Sequence, residues 1–305
     1  MTEENALLHE ESPVTPNENS SSKVLLALAA VYLTWGSTYL AIKIALADLP
    51  PLFLMGIRFF AFGTGMYVYL RLRGAPNPDL REWLRSAVVG IFLMLGGSAG
   101  VAYAMRWVAS GVAALVIATT PLWAVLFAGI WNRWPNRLEW IGLLIGLAGI
   151  FALNFEGDLR ASPFGAVLLV LAAMSWAFGS AWSQRVKLPR GMMAGTAQMI
   201  TGGVVVLLLS YGIGERIRTV PSWTSIAAVI YLGIFGSLVG FTAYVYLLKR
   251  VRPALATSYA YVNPVIAVTL GVVFAGEKLS MTEIVAMGII IFGVVLVALG
   301  QRKQH

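Results

Sequence analysis

From Lys23 onward the chain is a succession of long apolar runs separated by short polar or charged punctuation. The runs span 24–46, 51–70, 83–105, 109–131, 138–154, 163–185, 191–212, 223–248, 253–275 and 282–300. A helix needs about 20 residues to cross ~30 Å of hydrocarbon, and all but the shortest run, 138–154, come close to that length. None alternates with period two, which argues against the strands of an outer-membrane barrel. The pattern predicts an all-α polytopic membrane protein with ten transmembrane helices. Residues 1–22 are polar and acidic. They lack the positive start and apolar stretch of a secretory signal and are expected to form a disordered cytoplasmic tail. Residues 301–305 form a second short tail.

Composition supports lipid as the solvent. Hydrophobic residues make up 58% and charged residues 12%, against about 45–50% and about 25% in soluble globular chains. The net charge of +8 is distributed between the runs instead of forming a patch, so the expected partner is a bilayer and not a nucleic acid. With the N-terminus inside, fifteen of the 22 Lys and Arg fall in cytoplasmic stretches and five in outer ones. Lys43 and Arg58 lie within runs. This positive-inside alternation places both termini in the cytoplasm.

The two halves resemble each other. Thr34-Trp35-Gly36-Ser37 in the first run matches Ser175-Trp176-Ala177-Phe178-Gly179-Ser180 in the sixth. Pro121-Leu122-Trp123 in the fourth matches Pro264-Val265-Ile266 in the ninth, Tyr103 and Arg106 match Tyr246 and Lys249, and Glu139 matches Glu283. The offsets are 141–144 residues, a period long enough to hold a five-helix unit. A unit that crosses an odd number of times has an inverted second copy. Inverted repeats suit a carrier that exposes one midplane site to each face in turn.

These residues, together with Gly276-Glu277-Lys278-Leu279 before the last run, resemble the EamA family of the drug/metabolite transporter superfamily. Tyr32–Leu40, Pro50-Pro51 and Gly56-Ile57-Arg58-Phe59 look closest to its YedA-like branch of bacterial inner-membrane members. The resemblance covers about residues 24–300. It implies two five-helix EamA repeats, 23–155 and 161–300, in a multi-pass protein of the bacterial inner membrane. It also implies the export of amino acids and other metabolites. The first repeat has Asn132-Arg133 where the second has Gly276-Glu277, so a symmetric pair of glutamates is not expected.

Ionisable groups inside a span are functional candidates by default. Lys43, Arg58 and Arg106 all lie in the outer halves of their runs. They read either as an electropositive vestibule for a carboxylate or as cations snorkelling to headgroups. Snorkelling is the expectation for Lys43 and Arg106, and Arg58, which is deeper, is open between the two. Gln198 falls near the position of Arg58 in the second repeat and would offer only a neutral bond. Aromatic and hydroxyl side chains within runs complete the candidate substrate-binding set: Trp35, Ser37, Tyr39, Tyr103, Trp123, Trp176, Ser180, Tyr244, Tyr259 and Tyr261, with the amide of Asn263. Pro121 and Pro264 are candidate hinges, because proline removes a backbone bond within a helix. The glycines, including Gly96-Gly97, Gly142/Gly146 and Gly202-Gly203, are expected mostly to let helices approach closely.

Several classes are disfavoured. The chain has no cysteine, and His9 and His305 lie in the tails, so thiol chemistry and interior histidine or metal sites are absent from the plan. No phosphate-binding glycine loop precedes a Lys-Ser/Thr pair. Neither a cofactor nor enzymatic activity is expected. Outside the tail every carboxylate lies in a loop or at the end of a run, which disfavours a multidrug exporter of hydrophobic cations; a membrane sensor or scaffold, which would need a substantial soluble domain, is the weaker alternative still. The sequence is compatible with a homodimer, although no face demands one. The expected activity is alternating-access export of small carboxylate-bearing metabolites such as amino acids.

Overall fold

The computed structural model describes residues 18–131, 134–154, 162–250, 259–278 and 280–302. Most of the acidic tail, Asn132-Arg133 and the short C-terminal segment 303–305 lie outside them, as do the side chains of Tyr261 and Glu283.

The described residues form ten helical stretches and no strand. They are α1 (Glu18–Ala45), α2 (Pro51–Leu72), α3 (Leu80–Ala104), α4 (Ser110–Ile117 and Thr120–Ala128), α5 (Arg137–Asn154), α6 (Pro163–Ser183), α7 (Met192–Gly212), α8 (Trp223–Tyr231 continuing to Arg250), α9 (Tyr259–Ala275) and α10 (Met281–Arg302). Seven of them, α1–α4 and α6–α8, are long and apolar enough to cross a membrane. Shorter apolar helices occupy Val262–Ala275 and Ile284–Val297, within α9 and α10.

Local chemistry sets many of the ends. Pro51 and Pro163 open α2 and α6, where the missing N–H has no helical partner to lose. Asp79 and Glu82 form a reciprocal capping box at the start of α3, with amide contacts of 2.7 and 3.0 Å. Asn136 and Glu139 do the same for α5, and the Asn136 amide also donates to Gly300 O at 3.0 Å, tying α5 to the end of α10. Gly74 and Gly214 close α2 and α7 with φ near +80°, a left-handed turn that a side chain would strain. These two glycines stand 140 residues apart, so the repeat extends to its turns.

Packing follows the repeat. Helix α2 lies against its counterpart α7, and α5 against α10. Helix α1 packs on α8 and α9, while its counterpart α6 packs on α3 and α4. The halves are therefore interlocked and do not sit side by side. The expected glycine contacts are present. A Cβ on Gly142 would stand 2.5 Å from Gly293 O, and one on Gly203 would stand 2.6 Å from Phe60 N.

Two features depart from regular helix. Residues Ile91–Ala99 of α3 and Leu232–Val239 of α8 are π-helical, at matching places in the two repeats. Such widened turns are rare in helices and concentrate at functional sites. The matched prolines behave unequally: α4 breaks before Pro121, whereas α9 runs through Pro264.

Candidate functional site

The two π segments, α1, α2, α4, α6 and α9 enclose a cavity of about 110 Å³. Six of the residues singled out from sequence line it: Trp35, Tyr39, Arg58, Trp176, Tyr259 and Asn263. The sequence reading missed Thr38, Ser98, Thr120, Gly236 and Phe241, which line it as well, as does Gly97, expected only to pack helices. A signal was available, since Gly97-Ser98 and Gly236-Ser237 recur at corresponding places, as do Thr120-Pro121 and Asn263-Pro264.

The matched tryptophans form the centre. Trp35 and Trp176 meet edge to face at 6.1 Å and 86°. The Trp35 indole donates to Gly236 O at 3.0 Å, so α1 holds onto the π segment of α8. Trp176 lies over Gly97 in the π segment of α3, where an added Cβ would stand 2.8 Å from its ring. Tyr259 and Tyr244 pack on Trp35 at 4.8 and 5.1 Å, with Phe241 at 5.9 Å. These rings close one end of the cavity with an aromatic floor. The Asn263 amide nitrogen, turned toward its acceptors, donates to Tyr32 O and Tyr259 O at 3.3 Å.

Arg58 brings charge to this cavity. Only 5% of it is exposed. Its Nε donates to Ser237 Oγ at 2.9 Å, its Nη1 lies 3.9 Å from Met55 Sδ, and its guanidinium sits 4.9 Å from the centre of the Phe59 ring. Among the described residues no carboxylate pairs with it. Arg58 is thus buried against the cavity and not extended to the surface.

Lys43 has a different role from the one expected. Its Nζ contacts Glu277 Oε1 at 2.6 Å, which overturns the snorkelling reading. Glu277 also accepts from Ser110 N and Oγ, each at 2.8 Å, and from Gly111 N at 3.2 Å. One carboxylate thus joins the end of α1, the start of α4 and the α9–α10 turn, where it meets the partial positive charge of a helix N-terminus. Burial pushes the Glu277 carboxyl upward, but Lys43 and the Ser110 and Gly111 donors outweigh it and hold the group below its ordinary value. Asp48 acts in a similar way on α8, accepting from Ser222 and Ser225, whose hydrogen bonds hold it below its ordinary value. Glu215 accepts from the Leu52 and Phe53 amides at the start of α2.

The other candidates with described side chains do not line the cavity. Gln198 is buried where α7 crosses α3 beside Gly90, so it offers the cavity no neutral counterpart to Arg58. The Ser37 hydroxyl meets Tyr231 OH at 2.6 Å on the α8 side. Tyr103 packs on Trp107 beneath Arg106. The Trp123 indole donates to Thr119 Oγ1 at 3.2 Å among the small residues of α6. Ser180 caps nothing in the cavity; its carbonyl accepts from Ser183 Oγ. Tyr244 supports the floor from behind Trp35 and Tyr259.

Comparison with known proteins agrees with this architecture. The model of the EamA-like transporter family matches residues 22–155 and 163–299. The chain is 47% identical over 276 residues to the "uncharacterized inner membrane transporter YedA" of Escherichia coli (strain K12), covering 90% of each chain. It is 25% identical to the "uncharacterized transporter YoaV" of Bacillus subtilis (strain 168), covering 89% of this chain and 95% of that one. A crystal structure with 23% sequence identity superposes with a TM-score of 0.67 over 92% of this chain and 99% of the other, which shows a shared fold. Two matched units that together span nearly the whole chain, meeting around one cavity, make this protein a member of the EamA-like transporter family.

Proposed function

We propose that the protein is a secondary transporter of the bacterial inner membrane that exports small carboxylate-bearing metabolites, amino acids or related compounds, by alternating access. The observation that carries this reading is a buried guanidinium with no carboxylate partner among the described residues, facing a cavity built jointly by both repeats. Arginine presents a planar fork of donors that matches a carboxylate. The aromatic walls would take the apolar part of the substrate, and Asn263, Thr38 and Thr120 would orient its polar groups. No acidic side chain lines the cavity among the described residues, which fits an anionic or zwitterionic cargo better than a lipophilic cation.

In this reading all ten helices cross the bilayer, the five-helix repeats are inverted, and both termini are cytoplasmic. The 47% identity to a protein named as an inner membrane transporter supports the location. The matched π segments and prolines, placed around one cavity, support a carrier whose halves exchange conformations.

The test is to express the protein and an Arg58→Ala variant at matched membrane levels in a bacterial host and compare the media by untargeted mass spectrometry. The expected result is one or more carboxylate-bearing metabolites raised by the wild type and not by the variant. Media indistinguishable from those of an empty vector would overturn export of host metabolites. Equal export by both proteins would remove Arg58 from the site.

A further inference from the structure

We propose that the protein is an exchanger of small organic anions, in which a carboxylate must occupy the cavity before it can pass from one facing to the other. The proposal rests on the transport reading above and adds its mode of coupling: one anion leaves as another enters, and empty return is slow.

The argument starts from the charge balance around Arg58. A guanidinium keeps its proton in proteins and carries five N–H donors. Here one donor is met by Ser237 Oγ and another by the thioether of Met55, a weak acceptor. Ser237 brings no charge, and its own hydroxyl donates onward to Leu232 O at 3.3 Å. The Nη2 side faces the π segment, so close to Gly236 that a Cβ there would stand 2.7 Å away. Donors are therefore left for an incoming group, and among the described residues no carboxylate pairs with the positive charge.

The described loop carboxylates do not supply a counter-charge. Asp48, Glu215 and Glu277 are each engaged at the N-terminus of another helix. Gln198, the residue at the corresponding place in the second repeat, lies outside the cavity. Among the described residues the site thus holds one net positive charge.

Arg58 is only 5% exposed and lines the cavity, so what solvation it has comes through the cavity. Any carrier that alternates must pass through a form closed to both faces. Closing around an unpaired guanidinium removes that solvation, and taking an ion out of water without a partner is strongly unfavourable. A carboxylate bound in the fork cancels the charge and satisfies the donors. The loaded form can then close where the empty form cannot, which is the kinetic definition of an exchanger. A single charge also limits each passage to one monocarboxylate, or to one carboxylate of a zwitterion whose ammonium faces the aromatic rings.

The test uses the absence of cysteine from the chain. Pro76→Cys and Lys187→Cys, both exposed and placed after α2 and α6, give a donor–acceptor dye pair with one label on each repeat. The labelled full-length protein in lipid nanodiscs is followed by single-molecule energy transfer, with sodium acetate compared against the bulky sulfonate HEPES at equal ionic strength. Acetate is expected to raise the switching rate at least about tenfold. With Arg58→Gln added, switching is expected to be fast in either salt. Arg58→Lys, which keeps the charge, is expected to remain acetate-dependent and guards against a merely structural effect of the Gln variant. A wild-type rate indifferent to acetate, or an equal response of the Arg58→Gln protein, overturns exchange and leaves the transport reading standing. A single fixed distance in every protein and salt overturns alternation itself, and both readings with it.

Discussion

Replacing Glu277 should separate a helix-capping role from an ion-pair role. The carboxylate serves two buried amides, Ser110 N at 2.8 Å and Gly111 N at 3.2 Å, and the Ser110 hydroxyl at 2.8 Å. Its fourth partner, Lys43, has a side chain 40% exposed, so solvent screens that pair to about 0–1 kcal/mol. Leaving a buried donor unsatisfied costs about 1–3 kcal/mol, and a negative charge at a helix N-terminus adds roughly 0.3–1 kcal/mol. Glu277→Ala should therefore cost about 2–4 kcal/mol. Glu277→Gln keeps an acceptor for the amides and should cost about 1 kcal/mol, and Lys43→Met should cost less than that.

The assay is thermal unfolding of purified protein in detergent, at one scan rate because such unfolding is seldom reversible. The Ala variant should lose roughly 5 °C or more, followed by Gln, with Lys43→Met least affected. The pH dependence has a definite sign. Because the folded Glu277 is held below its ordinary value, its charge adds stability that is complete above the unfolded pKa of ~4.3. That stability fades as pH falls through the lower folded value. The gap between wild type and Glu277→Gln should thus be full at neutral pH and close in acid. The reasoning would be refuted if Lys43→Met cost as much as Glu277→Ala, or if the gap widened as pH fell.

Other changes probe the cavity and the packing. Gly236→Ala places a methyl 2.7 Å from Arg58 Nη2 and 2.9 Å from Thr38 Cγ2; export should fall at least about tenfold while membrane levels hold, as measured by metabolite release normalised to immunoblot. Trp35→Phe keeps the ring but loses the bond to Gly236 O, which should cost about 0.5–1.5 kcal/mol in the same melting assay. Gly142→Leu drives a side chain into Gly293 O, 2.5 Å from the would-be Cβ. It should sharply reduce folded protein, read as loss of the monodisperse peak in size-exclusion chromatography.

The helices were legible in the sequence because each is written locally. Apolar runs of spanning length, Pro51 and Pro163 at helix starts, and Glu82 three residues after Asp79 act within a turn or two. The runs and the helices agree to within a few residues over most of the described chain. Repeat pairing was legible for a related reason: Trp35 and Trp176 keep their identities at matched places and do meet, edge to face.

What the sequence could not provide was the rotation of each helix about its own axis. That rotation decides whether a buried side chain faces the cavity or a neighbouring helix. Arg58 and Gln198 occupy similar places in the two repeats, yet α2 turns Arg58 into the cavity while Gln198 lies at the crossing of α7 with α3. The π segments of α3 and α8 shift the register of every residue beyond them, and no local pattern marks them apart from glycine and serine. Charge placement met the same limit. Lys43 and Arg58 are both cations within apolar runs, but Lys43 meets a carboxylate 234 positions away and Arg58 meets none among the described residues. Whether a charge is paired depends on which loops and helices come together. Only the tertiary structure sets that contact, because the energy of a buried ion is determined by its neighbours in space and not by those along the chain.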